Sequence, residues 1–254
     1  MKNQNLVLGC LHAPFHNKKI WNGILQLIKD ENFQSINLIG DILDLNSLSF
    51  HERGKYPINI DGEPLTISKE YKMVKVFDEL DSAIGSRRIK KRFLYGNHED
   101  RYLRHKSIPD NDKIIADAPE DYFRLRERGY EVKTNWLDDY YKLGKYLEIF
   151  HGNLLGVNPA KRQLDKLKNS CMFVHSHRSG VHFDGNMAAY NIGCLVDINA
   201  PVFSYAPRII KRNWIMGFGI VTIDDNGFFY ANMITGYNDQ FYYNGKRYGK
   251  WKRH

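Results

Sequence analysis

The chain alternates short apolar runs with polar punctuation, and the early runs each stop on residues able to bind a metal or move a proton. Asn5-Leu6-Val7-Leu8-Gly9 reads as a strand that ends on Cys10 and His12. Ser35-Ile36-Asn37-Leu38-Ile39 is a second strand, ending on Gly40-Asp41, and Arg92-Phe93-Leu94-Tyr95 a third, ending on Gly96-Asn97-His98. Between them, Ile20, Ile24, Leu25, Leu27 and Ile28 recur at helical intervals. Ile67, Tyr71, Val74, Phe77, Leu80 and Ile84 mark one face of a single long helix, stopped by Gly85. The first half therefore predicts strand–helix–strand–helix–strand, with polar side chains gathered at the carboxyl ends of the strands, where the loops of parallel α/β sheets build sites.

The second half has another rhythm. Tyr146-Leu147-Glu148-Ile149-Phe150 leads to His151-Gly152, Pro159 to Leu167 predicts a short helix, and Cys171-Met172-Phe173-Val174 leads to His175. Hairpin-like segments follow: Met187 to Ile192, Trp214 to Ile223, the turn Asp224-Asp225-Asn226-Gly227, Phe228 to Ile234, and Phe241 to Gly245. No repeat, low-complexity segment or linker interrupts them. One domain spanning 1–254 accommodates both halves: an α/β fold of two-sheet α/β/β/α sandwich type, with mixed sheets and flanking helices. The hairpin-rich part, about 186–246, is expected to complete the second sheet, with a basic tail over 246–254.

Composition narrows the class. Apolar content of 43% and charged content of 26% are those of a water-soluble globular chain, and no apolar run approaches the roughly 20 residues of a membrane span. The opening Met1-Lys2-Asn3-Gln4-Asn5 passes too quickly into a strand for a signal peptide, and three cysteines form an odd, sparse set. Both point to a reducing, cytoplasmic setting without a membrane partner.

Net charge is +8 and the sequence pI about 9.2. The excess concentrates in Arg87-Arg88-Ile89-Lys90-Lys91-Arg92 and in the aromatic-basic run from Lys246 to His254. Such runs suit a nucleic-acid partner, DNA or RNA, by phosphate contact and base stacking, although each taken singly reads as solvated surface.

The chemistry lies in five segments: Gly9-Cys10-Leu11-His12, Gly40-Asp41-Ile42-Leu43-Asp44, Gly96-Asn97-His98-Glu99, His151-Gly152 and His175-Ser176-His177. Imidazole nitrogens combined with carboxylate and amide oxygens suit Mn, Fe, Zn or Ni better than Ca or Mg. A shared carboxylate can hold two such ions roughly 3.5–4 Å apart, the arrangement of two-metal phosphoryl chemistry.

In this order the segments resemble the calcineurin-like metallophosphoesterase superfamily, whose pattern is Asp-x-His, Gly-Asp-x-x-Asp, Gly-Asn-His-Glu/Asp, His and Gly-His-x-His. The resemblance runs from about Leu6 to Gly193. The extended forms His12-Ala13-Pro14-Phe15-His16 and Gly96-Asn97-His98-Glu99-Asp100-Arg101 are similar to phosphoesterases and nucleases of phage and bacterial genomes, which implies the host cytoplasm if the chain is phage-encoded. The resemblance implies two divalent transition-metal ions bridged by Asp41, one held by Cys10, His12, Asp41 and His177, the other by Asp41, Asn97, His151 and His175. It implies a phosphodiesterase or nuclease that hydrolyses P–O bonds by a metal-bridging hydroxide. His98 would be the general acid, with Asp44 orienting its ring and favouring the protonated form. His16 and Arg101, beside the motifs, would touch the substrate phosphate. Arg104 and His182 read as structural, and His51, His105 and His254 as ordinary histidines.

Three departures stand out: Cys10 replaces the family's first aspartate, Val174 its glycine, and Asn191-Ile192-Gly193-Cys194 a loop usually ending in Ser. Only Cys10 touches the metals. A thiolate would favour Zn or Fe²⁺ over Mn; an unligated buried thiol would leave the first ion three protein ligands. The alternatives to a diesterase are a phosphomonoesterase or protein phosphatase, or a metal-impaired nucleic-acid-binding protein.

Overall fold

Strand β1 (Gln4–Leu8) is buried along its whole length and forms the middle of the larger sheet. The computed structural model describes residues 3–49, 59–60, 63–108 and 117–249. After β1 come α1 (Lys18–Asp30), β2 (Phe33–Ile39), β3 (Asn59–Ile60), β4 (Glu63–Pro64), α2 (Ile67–Met73), α3 (Val76–Ile84), β5 (Lys90–Leu94), α4 (Asp100–Lys106), α5 (Pro119–Tyr122) and β6 (Tyr130–Lys133). The second half contributes β7 (Tyr141–Leu143), β8 (Leu147–Ile149), α6 (Pro159–Leu167), β9 (Cys171–Phe173), β10 (Ser179–Asp184), β11 (Met187–Ile192), α7 (Arg208–Lys211), β12 (Gly217–Ile223), β13 (Phe229–Thr235), β14 (Gln240–Tyr243) and β15 (Lys246–Gly249).

The six-stranded sheet runs β13-β12-β1-β2-β5-β6 and the five-stranded sheet β10-β11-β9-β8-β7. Strands β1, β2, β5 and β6 are mutually parallel, as are β8, β9 and β11. Alternation along β1 explains the layering. Leu6 and Leu8 pack with Ile24, Leu27 and Ile28 of α1 and Phe77 and Leu80 of α3, whereas Val7 packs between the sheets with Met172, Ile192 and Val221. On the far side of the second sheet, Ala160 and Leu164 of α6 pack on Cys171, Phe173 and Ala189. The result is the expected α/β class: two mixed sheets face to face, flanked by helices. No helix among the described residues is long and apolar enough to cross a membrane.

Two expectations need correction. The long helix over 67–84 is two helices, broken where Val74 adopts extended backbone (φ −77°, ψ 122°). Neither proline nor glycine marks the break; it lets Glu70 of α2 turn to the 46–47 backbone while Phe77 and Leu80 stay in the core. The hairpin-rich part does not simply complete the second sheet. Strands β10 and β11 belong there, but β12–β13 joins the first sheet, with Leu6 opposite Ile220. As first strand of a parallel series β1 has β2 on one edge only, and antiparallel β12 covers the other.

The basic runs are largely occupied. Arg87 donates to the carbonyls of Ile28, Glu31, Ala83 and Ile84 at the ends of α1 and α3. Lys90 pairs with Glu131, Lys91 with Asp81, and Arg92 with Glu131 and Asn37. They also lie at the start of β5, opposite the strand ends that carry the motifs. Of the tail, the described part, 246–249, forms β15, which pairs with β14 and puts Tyr248 beside Phe241 in the α1 core and Lys246 on Asp30; 250–254, His254 included, and His51 lie outside the described residues.

Candidate metal centre

Each predicted ligand sits in the loop immediately after a parallel strand, so the two sheets deliver them to one place. Cys10 and His12 follow β1, Asp41 follows β2, Asn97 follows β5, His151 follows β8, and His175 and His177 follow β9. Five of these residues hold positive φ: Cys10 45°, His12 53°, Asp41 50°, His175 71° and His177 59°. Left-handed backbone at non-glycine residues costs of order 1–3 kcal/mol each and collects where function requires a particular side-chain direction. Two glycines make room. A Cβ on Gly40 (φ 92°) would lie 2.6 Å from His151 Nδ1, and one on Gly96 would run into the Asp41 carboxylate.

Asp41 is the hub. Its Oδ1 accepts from the His98 amide at 2.9 Å, while Oδ2 lies 3.3 Å from His151 Nε2 and 3.7 Å from His12 Nε2. His12 Nε2 and His177 Nε2 are 3.1 Å apart. On the other side, Asn97 Oδ1 lies 3.0 Å from His151 Nε2 and 2.9 Å from His175 Nδ1, and those nitrogens are 3.2 Å from each other. Cys10 Sγ, which accepts from the His175 amide at 3.2 Å, falls within 4.8 Å of ligand atoms on both sides: with His12 and His177, and with Asp41 and His151. All seven predicted ligands are thus brought together, and all but Asn97 and His175 are buried.

The outer nitrogens fix which atoms face inward. His12 Nδ1 is 2.9 Å from Asp44 Oδ1 and His151 Nδ1 3.2 Å from the Ile39 carbonyl; each N–H is spent there, leaving Nε2 with a lone pair. With its ring neutral, His151 Nε2 would face the oxygens of Asn97 and Asp41, acceptor against acceptor, and Asp41 raises the His151 pKa, so the position calls for a cation, metal or proton. The donor chemistry fits transition-metal ions. Electrostatics agree. Burial raises the Asp41 carboxyl, but the imidazoles of His151 and His98 outweigh it and hold it well below the usual range. Burial, with His151 next, lowers His175 to about 4, and burial with His12 drives His177 well down, so both favour the neutral form that can bind a metal. Burial, with Asp41 and Cys194 adding, pushes the Cys10 thiol well up, so its thiolate needs a cation beside it.

The proton-transfer side differs in detail from expectation. The Asp44 carboxylate is nearer His12 (2.9 Å) than His98 (3.3 Å). What holds the His98 ring is the Asp44 carbonyl, 2.6 Å from Nδ1, while Arg101 Nη2 lies 3.1 Å from Nε2 and donates to it. Burial and then the Arg101 charge lower the His98 pKa, against Asp41 and Asp44, which raise it. Arg101 is anchored by the carbonyls of Asp44 and Leu45, at 2.9 and 3.3 Å. His16 is not brought to this cluster. It bridges to Val196 and stands edge-on to Trp21, and burial with Lys18 lowers it to about 4. Arg104 pairs with Asp100, and His105 is buried with Nε2 3.1 Å from the Leu48 carbonyl.

Four residues gained roles that the sequence reading did not assign. Buried Glu99 accepts from the amides of Asp41 (2.9 Å), Leu43 (2.8 Å) and Gly96 (2.8 Å), tying two ligand loops together. Burial and Asp41 push its carboxyl up to about 7. Glu70 likewise accepts from the amides of Asn46 and Ser47. Trp214 stands edge-on to His177 at 4.4 Å between ring centroids, and Trp136 lies 6.2 Å from both His151 and His175. Glu99 had a sequence signal, its place in the Gly-Asn-His-Glu segment; the other three had none.

No protein-family model matches the chain, and no curated protein does either. Among solved structures it is similar to vacuolar protein sorting 29 from Cryptosporidium parvum, at 12% identity and TM-score 0.48, covering 97% of this chain and 94% of that one. It is also similar to an archaeal phosphodiesterase (11%, TM-score 0.44, 91% and 99% covered). A third is a predicted phosphoesterase from Streptococcus pneumoniae (14%, TM-score 0.40, 98% and 99% covered).

Proposed function

We propose that this chain is a dinuclear-metal phosphoesterase acting on phosphodiesters, in keeping with the motif resemblance to calcineurin-like metallophosphoesterases. The observation that carries the reading is the inward-facing acceptor set around Asp41: Nε2 of His12 and His151, His177, Asn97 Oδ1 and the Cys10 sulfur, with outer nitrogens already spent on Asp44 and Ile39. Cys10, His12, Asp41 and His177 would hold one ion, and Asp41, Asn97, His151 and His175 the other. Lewis acidity is the chemistry such ions supply when bound, neutralising phosphoryl oxygens and making water acidic enough to attack near neutral pH. His98 stands at the edge of this set with Nε2 directed at Arg101. A phosphate oxygen placed between them would take the Arg101 hydrogen bond, and its negative charge would favour uptake of a solvent proton at the freed Nε2, which His98 could then give to the departing oxygen.

The reading is tested with bis-p-nitrophenyl phosphate: hydrolysis abolished by chelator and restored by Mn²⁺, Ni²⁺ or Zn²⁺. A folded, metal-loaded protein with no turnover under any of them overturns it, and faster turnover of the monoester would favour a phosphomonoesterase.

His98→Ala should leave metal content unchanged yet slow diesters with poor leaving groups by roughly 10²–10⁴-fold, the usual size of general acid catalysis. An activated aryl ester, which needs little protonation, should lose less. Equal losses on both substrates would remove His98 from the acid role.

Cys10→Ser should reduce bound metal, read by elemental analysis, because a hydroxyl is a poor ligand. Cys10→Asp should keep stoichiometry and move preference from Zn toward Mn, following ligand softness. With Co²⁺, the unaltered chain should show thiolate-to-metal charge-transfer absorption that both variants lack. Its absence in the unaltered chain would make the thiol a bystander.

A further inference from the structure

A cavity of about 480 Å³ opens beside the metal-ligand loop, and its polar lining is cationic. It is bounded by Arg178, Lys161, His182 and Arg212, with no carboxylate in its lining. Lys161 is engaged with Asp165, but among the described residues neither Arg178 nor Arg212 is in an ion pair. Arg178 makes only a 3.5 Å contact to the Val157 carbonyl. The amino end of α6 also borders the cavity. This nine-residue helix has no acidic residue in its first turn and no side-chain cap from Asn158, so its first amides carry an unopposed partial positive charge.

Asn191 adds an independent sign of a ligand. It is 1% exposed and lines the same cavity; its Nδ2 donates to Ser176 Oγ at 2.5 Å, and its Oδ1 has no partner among the described residues. Ser176 Oγ also accepts from the Arg178 amide at 3.3 Å, tying Asn191 to the segment that carries Arg178. The orphaned Oδ1 is a buried acceptor open to an N–H or O–H of a bound molecule.

Backbone connections join this cavity to the metal centre. Arg178 follows the ligand His177 directly, Ser176 lies between the two ligand histidines, and the Ile215 amide donates to the His177 carbonyl at 2.9 Å. Trp214, between Arg212 and Ile215, packs edge-on against the His177 ring.

We propose that the cavity is a second phosphate subsite, holding the phosphate next to the scissile one in a nucleic-acid strand, with Arg178 and Arg212 as its charged contacts. The inference rests on the phosphodiesterase reading above. A monoester or single small phosphate is served by the metal centre alone; a built anion site along the same loop is useful to a substrate whose next phosphate is one linkage away. This moves the nucleic-acid contact from the Arg87–Arg92 run, whose side chains are largely paired, to the end of the sheets that bears the ligands.

The test uses the full chain and a fluorescent single-stranded oligonucleotide, with binding read by anisotropy in chelator so that no cleavage occurs. For Arg212→Gln, and for Arg178→Gln/Arg212→Gln checked by its thermal melt, affinity should fall. The slope of log K against log salt should shrink by about 0.7 for each arginine that contacts a phosphate. With metal restored, kcat/KM for the oligonucleotide should fall relative to that for bis-p-nitrophenyl phosphate. Unchanged affinity and slope while the diester is hydrolysed would overturn this subsite and leave the phosphodiesterase reading standing. Arginine-dependent binding by a chain that hydrolyses no diester would keep the anion site and sink the enzyme. Loss of inorganic phosphate affinity with oligonucleotide binding intact would assign the cavity to a free anion and overturn the proposal.

Discussion

Asp41→Asn is expected to cost more activity than any other single change, because Asp41 is the carboxylate that faces both halves of the centre. Its Oδ2 is 3.3 Å from His151 Nε2 and 3.7 Å from His12 Nε2, and its Oδ1 accepts the amide of His98. Asparagine keeps the size and replaces one oxygen by an NH2. If Oδ1 stays opposite the His98 amide, the NH2 is turned toward the inward lone pairs, where a donor repels any cation. Losing a residue that merely orients a ligand costs roughly 10–100-fold in metal affinity or activity, so losing the shared charge should exceed 100-fold. Isothermal titration with Zn²⁺ or Mn²⁺ and diester turnover both read this. Metal stoichiometry equal to that of the unaltered chain would show that Asp41 is not the bridging group.

Glu99→Gln should be the most damaging change to stability near the site. Oε2 accepts from both Asp41 and Gly96, and Oε1 from Leu43, with the residue fully buried. Any orientation of a glutamine amide sets its NH2 against at least one of these N–H groups, exchanging a charge-assisted bond for a buried donor without an acceptor. At about 1.5–3 kcal/mol for each bond to a charged group, a loss of about 2–4 kcal/mol is expected. In a chain of this size that lowers the melting temperature by roughly 4–16 °C. Urea unfolding measures the loss directly. An unchanged midpoint would mean that Glu99 is protonated and already amide-like, consistent with burial and Asp41 raising it to about 7. Weaker metal binding should accompany the loss, because Glu99 holds the Asp41 and Gly96 amides and thereby the ligand loops.

Legibility followed the range of the interaction. The strands ending at Leu8, Ile39, Leu94, Ile149 and Phe173 were readable because each is a short apolar run stopped by glycine or a polar residue. Helix α6 was predicted with the bounds it has, since Pro159 at its first turn and the spacing of Ala160 and Leu164 are local signals. The break at Val74 was not readable, because it depends on Glu70 reaching backbone of another loop. Nor was the pairing of β12 with β1, a choice between two open sheet edges far apart in sequence.

The site divides in the same way. The motif resemblance proposed Cys10, His12, Asp41, Asn97, His151, His175 and His177 as one set, and the fold brings them together because a parallel strand delivers the residues after it to the same end of the sheet. Their orientation was decided by the folded chain: left-handed backbone at five of them, His12 held by Asp44, His151 by Ile39, and His98 by the Asp44 carbonyl and Arg101. Charge was the least local property of all. The Arg87–Arg92 run, the densest positive patch in the first half, is consumed by helix ends and carboxylates, while Arg178 and Arg212, unremarkable in sequence, share one cavity. Apolar periodicity and motif order are properties of neighbouring residues, so the sequence by itself determined most of the elements and the candidate set of residues at the strand ends. Which acceptor each imidazole meets and which cations remain unpaired depend on chain segments tens to hundreds of residues apart, and only the tertiary structure decided those.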